Sequence, residues 1–307
     1  MSRLRTLIRI TRAPFFTAVI VPALLGGVLA WYEGSFHWGY FALALVGAVC
    51  INAGWDMSND YFDHIVGTDD INRAGTPFSG GSRVIQEGII TARQMLIASL
   101  SCYAVGSAIG LYLAIVRGWA ILWLGLAGVF LAFFHNAPPV RLYNLAPGLG
   151  ELAVGIGCGP LVVMGSYYVQ TRQFTLSALL ASLPIGLLIA AVLYINEFPD
   201  VEADRLAGKK TIPVVVGRER AVGSYQALLI TPYLIVLVGV LMRLFPVTLL
   251  LALLTLPLAV RAIQGARHFH SDIPRLIPVM ATTIQLHLVM GILLSVGYAA
   301  ARMLSWQ

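Results

Sequence analysis

Nine stretches of this chain, each about twenty residues long and nearly free of charge, leave little choice of fold. They run at 13–32, 39–58, 95–116, 118–137, 148–169, 175–195, 220–242, 244–263 and 277–301, with short polar connections between them. A bilayer offers no water to the backbone, so a spanning segment must satisfy its own amides, and apolar runs of this length read as α-helices. The expectation is an all-α polytopic membrane protein, a bundle of nine transmembrane helices forming one domain over 1–307. Only 11% of the residues are charged, against about a quarter in soluble domains.

The first run follows a basic segment, as in a signal peptide, but it is long enough to span and no small-residue cleavage site stands out, so it reads as the first helix. Cys50, Cys102 and Cys158 all fall inside apolar runs without CxxC or Cys/His spacing and read as buried small hydrophobes. The net charge of +6 does not indicate nucleic acid, because no basic face with interleaved aromatics is present. The cations instead set orientation. With a cytoplasmic N-terminus, 16 of the 20 Lys and Arg residues lie at cytoplasmic ends or loops, leaving Arg117, Arg172, Arg243 and Arg302 outside.

The acids are distributed unusually. On the same topology all fourteen except Glu33 fall on the cytoplasmic side, and most belong to two segments that directly follow apolar helices. One runs from Asp56 through Asn59, Asp60 and Asp63 to Asp69 and Asp70; the other holds Asn196, Glu197, Asp200, Glu202 and Asp204. Asn59-Asp60-Tyr61-x-Asp63 matches Asn196-Glu197-Phe198-x-Asp200, and each is followed by a glycine, Gly67 or Gly208, as in a weak internal duplication. The spacing of four from Asn59 to Asp63, Asn196 to Asp200 and Asp200 to Asp204 stacks these oxygens on one helix face if the helices run on past the membrane. Like charges so placed call for a cation. Oxygen ligands without Cys or His favour Mg²⁺, which is typically held by one or two carboxylates together with substrate phosphates. A carboxylate at full membrane depth costs about 2.5–3.5 kcal/mol, which argues that the acids are used.

Basic residues follow both clusters: Arg73 and Arg83 after the first, Arg205, Lys209 and Lys210 after the second. Such side chains can neutralise a diphosphate, arginine as a fork and lysine as a point charge. Ser79-Gly80-Gly81-Ser82-Arg83 could turn backbone amides toward a phosphate, although it lacks the Walker pattern. His268-Phe269-His270 with Asp272 resembles a metal group superficially, and its loop position reads as solvent-exposed.

At these residues the chain resembles the UbiA superfamily of intramembrane aromatic prenyltransferases, in which two aspartate-rich motifs end the second and sixth of nine helices. It is most similar to the 1,4-dihydroxy-2-naphthoate polyprenyltransferases of menaquinone synthesis. The narrower match rests on 59–63 with Gly67-Thr68-Asp69, 79–85, Pro138-Pro139-Val140-Arg141-Leu142, Gly148-Leu149-Gly150-Glu151, Gly159-Pro160-Leu161 and 196–211. The resemblance implies Mg²⁺ held by Asn59, Asp63, Asp69, Asn196, Asp200 and Asp204, with Asp60 and Glu197 as secondary candidates.

It also implies transfer of the chain of a polyprenyl diphosphate to an aromatic acceptor in the cytoplasmic half of the inner membrane. For dihydroxynaphthoate, a ring carbon attacks and the carboxylate is lost. Arg73, Arg83, Lys209 and Lys210 are the expected diphosphate neighbours, Arg12 and Arg141 the candidates for an acceptor carboxylate. Tyr194 is a candidate, with Tyr61, Trp55 and Phe198, for facing the prenyl cation. One departure is Tyr143-Asn144-Leu145-Ala146-Pro147 before Gly148, where the family usually carries a basic residue. The alternatives are a transferase for another acceptor, such as 4-hydroxybenzoate, homogentisate or a lipid head group, and a divalent-cation transporter. A transporter would place its acids near the midplane and not at helix ends.

Overall fold

The computed structural model describes residues 3–71 and 76–304, and its only regular structure among those residues is helical, without a strand. Helix α1 (Arg3–Ile10) and a 3₁₀ turn at Ala13–Phe16 lead into α2 (Thr17–Tyr32) and α3 (Trp38–Val66). The short α4 (Thr68–Ile71) is followed by α5 (Ala92–Arg117), α6 (Ala120–Phe134), the short α7 (Leu142–Leu145), α8 (Leu149–Cys158) and α9 (Pro160–Thr171). Next come α10 (Leu176–Leu206), the short α11 (Ile212–Val216), α12 (Arg218–Leu241), a 3₁₀ segment Val247–Thr255 continuing as α13 (Leu256–Phe269), and α14 (Ile273–Leu304).

Eight helical segments among the described residues are long and apolar enough to cross a bilayer, and α6, at 15 residues, is a shorter apolar ninth. The nine expected runs are thus all helical, and the chain is a multi-pass membrane protein. The run at 148–169 is one span broken into α8 and α9 at Gly159-Pro160, because proline cannot supply the amide that would continue the helix.

Small residues bring the helices together, as expected where lipid removes any hydrophobic advantage of helix contact. On the α3/α5 face a Cβ at Gly106 would lie 2.7 Å from Ile51, and one at Gly54 would lie 3.1 Å from Tyr103. The Ser99 hydroxyl donates to the Gly54 carbonyl across the same contact at 2.7 Å. Exposed Trp119, Trp123, Ile115, Leu234 and Val296 lie on the lipid-facing exterior.

Three helices are much longer than the membrane core. α3 has 29 residues, α10 has 31 and α14 has 32, about 43–48 Å at 1.5 Å per residue, whereas the hydrocarbon core is about 30 Å thick. The last turns of α3 and α10 carry the two acidic motifs. Gly67 closes α3 with φ +84° and Gly208 follows α10 with φ +74°, so the duplicated glycines do the same left-handed job in both copies. At the opposite face three of the four outlying arginines close helix C-termini. Arg117 donates to the carbonyls of Val169 and Gln170 (2.6 and 2.8 Å), Arg172 to Val116 (2.7 Å), and Arg302 to Tyr32 (3.3 Å).

Candidate active site

Continuity of α3 sets the first half of the site. Asn52, Asp56, Asn59 and Asp63 recur at spacings of four, three and four, one face of a helix, and all line a single cavity. Asn196, Asp200 and Asp204 line the same cavity from α10, with Glu197 beside them, and Asp69 from α4 completes the ring. The cavity, its open mouth included, spans roughly 1050 Å³ and reaches down to Trp55, Cys158, Val192 and Leu193.

Lys209 links the two motifs. Its ammonium lies 3.1 Å from Asp63 and 3.3 Å from Asp204, buried at 12% side-chain exposure. Burial alone would lower its pKa, but Asp204 and Asp63 outweigh that and its pKa is raised. Asn136 donates to the other Asp63 oxygen at 2.8 Å. The Tyr143-Asn144 step, where a basic residue was expected, holds Lys209 in place. The Lys209 ammonium sits 5.2 Å from the centroid of the Tyr143 ring, the Lys210 amide donates to the Tyr143 carbonyl at 2.7 Å, and Asn144 donates to the Gly208 carbonyl at 2.7 Å. Glu151, of the Gly-Leu-Gly-Glu stretch, accepts from the Ile212 amide at 2.9 Å and anchors the same segment to α8.

A loop roofs the cavity. The Ser79 hydroxyl donates to Asp200 at 3.0 Å, the Ser82 amide donates to both Asp60 oxygens at 3.2 and 3.3 Å, and Arg83 donates to the Asp69 carbonyl at 3.4 Å. Both acid motifs are thereby tied to one glycine-rich stretch. Gly81 has φ +72°, and a Cβ there would fall 2.9 Å from Asp69 and 3.3 Å from Asp60. Gly81→Ala is therefore expected to push the loop off these carboxylates and to weaken divalent-cation binding about tenfold, measured by isothermal titration of the detergent-solubilised protein.

The remaining candidates fall in different places. Arg12, at φ +49°, lines the cavity, lies 3.6 Å from Asp60 and stacks at 4.8 Å over Phe15. Asp60 thus faces Arg12 and the roof loop, while Asn59 and Asp63 face the cavity. Arg83 lines an outer vestibule, and Arg141 a smaller recess behind Asp63 with its Nε buried and without a hydrogen-bond partner. Lys210 is exposed and donates to the Leu145 carbonyl at 3.4 Å.

Tyr194 is not brought to the cavity: it is fully buried, donates to the Ala221 carbonyl at 3.1 Å and stacks on Tyr225. Arg73 lies outside the described residues. Asn52 and Asp56 also line the cavity, at the same helical spacing one to two turns deeper into the apolar run of α3, and His135 lines it from the end of α6. His268 and Phe269 belong to the last turn of α13 and not to a loop, and His268 and His270 bond to Gln264 and Ser271 of their own segment.

The model of the UbiA prenyltransferase family matches residues 19–280. The chain belongs to that family. It is 34% identical to 1,4-dihydroxy-2-naphthoate octaprenyltransferase of Mycobacterium tuberculosis over 86% of each chain. It is also 30% identical to 2-carboxy-1,4-naphthoquinone phytyltransferase of Synechocystis sp., covering 94% of this chain and 92% of that one. Among solved structures, the apo form of a UbiA homologue from Aeropyrum pernix K1 superposes with a TM-score of 0.67 at 18% identity, covering 94% and 98% of the two chains. A UbiA homologue from Archaeoglobus fulgidus bound to DMAPP and Mg²⁺ gives 0.62 at 16% identity with the same coverage.

The residues of this UbiA-family cavity suit a hard divalent cation. The donors are oxygens, and the Asn196 Oδ1 is buried without a hydrogen-bond partner. Such a donor set suits Mg²⁺, which keeps coordination positions for water and phosphate oxygens. Burial, then the nearby Asp63 and Asp60, push the Asp69 carboxyl up to about 8. Without a cation it holds its proton at neutral pH and loses it as pH rises through 8. Cation binding at pH 7 is therefore expected to release a proton and to tighten towards pH 8, and Asp69→Asn should abolish that release in a weakly buffered titration.

Proposed function

We propose that this chain is a Mg²⁺-dependent prenyltransferase that moves a polyprenyl group from its diphosphate to 1,4-dihydroxy-2-naphthoate, giving the quinol form of demethylmenaquinone, with its N-terminus and site on the cytoplasmic side of the inner membrane. The observation that carries the reading is continuity between two chemically opposite spaces. The carboxylate cavity shares Asn52, Trp55 and Cys158 with an apolar chamber of roughly 870 Å³ between α2, α3, α5, α6, α8 and α9. A molecule with a multiply charged head and a long hydrocarbon tail fits such a pair, whereas an ion in transit has no use for the chamber. The relatives' names supply the acceptor.

Asn59, Asp63, Asp69, Asn196, Asp200 and Asp204 would hold the Mg²⁺, which when bound neutralises charge building on the departing diphosphate. Lys209 places a fixed positive charge between the two motifs, and amides of the roof loop lie over them. The allylic carbon–oxygen bond breaks with its electron pair leaving on the diphosphate. A new carbon–carbon bond then forms at the acceptor ring carbon, whose carboxylate departs as carbon dioxide. Trp55, at the junction of cavity and chamber with its ring 5.2 Å from His135, offers an aromatic wall where the positive carbon would develop. Arg12 faces the cavity as the candidate for the acceptor carboxylate.

Purified protein supplied with polyprenyl diphosphate, dihydroxynaphthoate and Mg²⁺ should form demethylmenaquinol, read as demethylmenaquinone after oxidation by air, and chelation should stop it. Product only with another phenolic acid would move the acceptor, and no transfer to any acceptor would overturn the reading.

A further inference from the structure

Helix α1 (Arg3–Ile10) lies apart from both acidic motifs, and no step proposed above uses it. Its sequence, Arg3-Leu4-Arg5-Thr6-Leu7-Ile8-Arg9-Ile10, holds three arginines and no acid. Leu4, Leu7 and Ile8 fall at positions i, i+3 and i+4, one face of the helix, and all three are exposed, Leu4 at 66%. An apolar stripe in a basic segment, two residues before the chain enters its first span, has the chemistry of a helix lying in the plane of an anionic membrane surface.

Arg9 connects this helix to the site. Its guanidinium forms a two-pronged pair with Glu87 at 2.8 and 2.9 Å and donates to the Ser82 carbonyl at 3.1 Å. Ser82 is the residue whose amide holds Asp60, and the same loop reaches Asp200 through Ser79. Ile8, Arg9 and Arg12 from one side and Phe78, Ser82 and Glu87 from the other also wall a vestibule of roughly 750 Å³, which shares Arg12, Phe15, Phe78, Ser79 and Gly81 with the carboxylate cavity. The position of α1 thus bears on the position of the roof and on the width of an approach from the membrane surface.

We infer that α1 docks on anionic lipid headgroups of the host bilayer and, through Arg9, holds the Ser79–Glu87 loop over the carboxylate cavity, so that site assembly depends on membrane charge. The occupant is the lipid surface because the stripe borders the first span and both elements meet the same interface. Attraction of about 1 kcal/mol for one arginine near an anionic leaflet corresponds to roughly a fivefold change in occupancy; Arg9, held by Glu87, is not counted in it. The kinetic consequence rests on the transfer reaction proposed above; the docking itself does not.

The test uses the full chain in nanodiscs of phosphatidylcholine with or without phosphatidylglycerol. Hydrogen exchange of the 4–10 amides reports docking without any turnover. Exchange should slow when phosphatidylglycerol is added, and this protection should vanish in the surface double variant Leu7→Ser/Ile8→Ser. In the transfer assay phosphatidylglycerol should lower the KM for the prenyl diphosphate about fivefold with little change in kcat. Arg9→Gln should keep the exchange protection yet lose the KM response, since it cuts the link and spares the docking. Equal exchange in both lipids would overturn the docking. Docking with a KM response that survives Arg9→Gln would overturn the coupling. If no transfer is seen in any lipid, the exchange result still decides the docking, and it is the function reading that fails.

Discussion

Asp63→Asn is expected to lower the rate of prenyl transfer by about a thousandfold at saturating substrate while leaving the protein folded, as judged by its elution and circular dichroism in detergent. The substitution keeps size and shape and removes only the negative charge. Asp63 is the point where the two motifs meet, with Lys209 at 3.1 Å on one oxygen and Asn136 at 2.8 Å on the other. A thousandfold corresponds to about 4 kcal/mol, the scale on which a bound metal stabilises transition-state charge. Asp204→Asn should behave alike, because Asp204 lies on the opposite side of the same ammonium at 3.3 Å. Asn136→Ala removes only an orienting bond and should cost about tenfold. A rate for Asp63→Asn within tenfold of the wild type would remove the first motif from the chemistry.

Much of this architecture is legible in the chain because the bilayer imposes hard rules on it. Apolar length set the helices, and two matched acidic motifs at helix ends marked one site. Helical periodicity decides which motif residues reach that site. Asn59 and Asp63 are four apart and share a face, as do Asn52 and Asp56; Asp60 and its counterpart Glu197 are each turned about 100° from the preceding asparagine, and there the surroundings decide, Glu197 lining the cavity while Asp60 meets Arg12. By the same arithmetic Tyr194 lies about 200° from Asn196, which explains why it packs on Tyr225 and not in the cavity. What spacing could not reveal is tertiary. The seating of Lys209 between Asp63 and Asp204 depends on α7 bringing Tyr143 under the end of α10, and the tie from Arg9 to Glu87 spans 78 residues.

The residue whose loss should disturb both stability and activity is Lys209. In Lys209→Met the apolar stem is kept and the charge is lost, so Asp63 and Asp204 face each other buried and uncompensated. Breaking a buried pair from one side costs about 3–5 kcal/mol, and the thermal midpoint in detergent should fall accordingly. Mg²⁺ can replace the missing positive charge, so added Mg²⁺ should raise the midpoint of the variant more than that of the wild type. It should not restore the rate. If Lys209 also faces the departing diphosphate, the variant stays about a hundredfold slow at saturating Mg²⁺, within the range found when one electrostatic donor is removed from a preorganised site. Lys209→Arg should keep the midpoint, because a guanidinium still pairs with both carboxylates, yet lose part of the rate, because a planar fork cannot occupy the position of a point charge beneath Tyr143. Equal Mg²⁺ responses in variant and wild type would mean that Lys209 and the cation do not share the acids. Full activity in Lys209→Met would confine the lysine to holding the two motifs together.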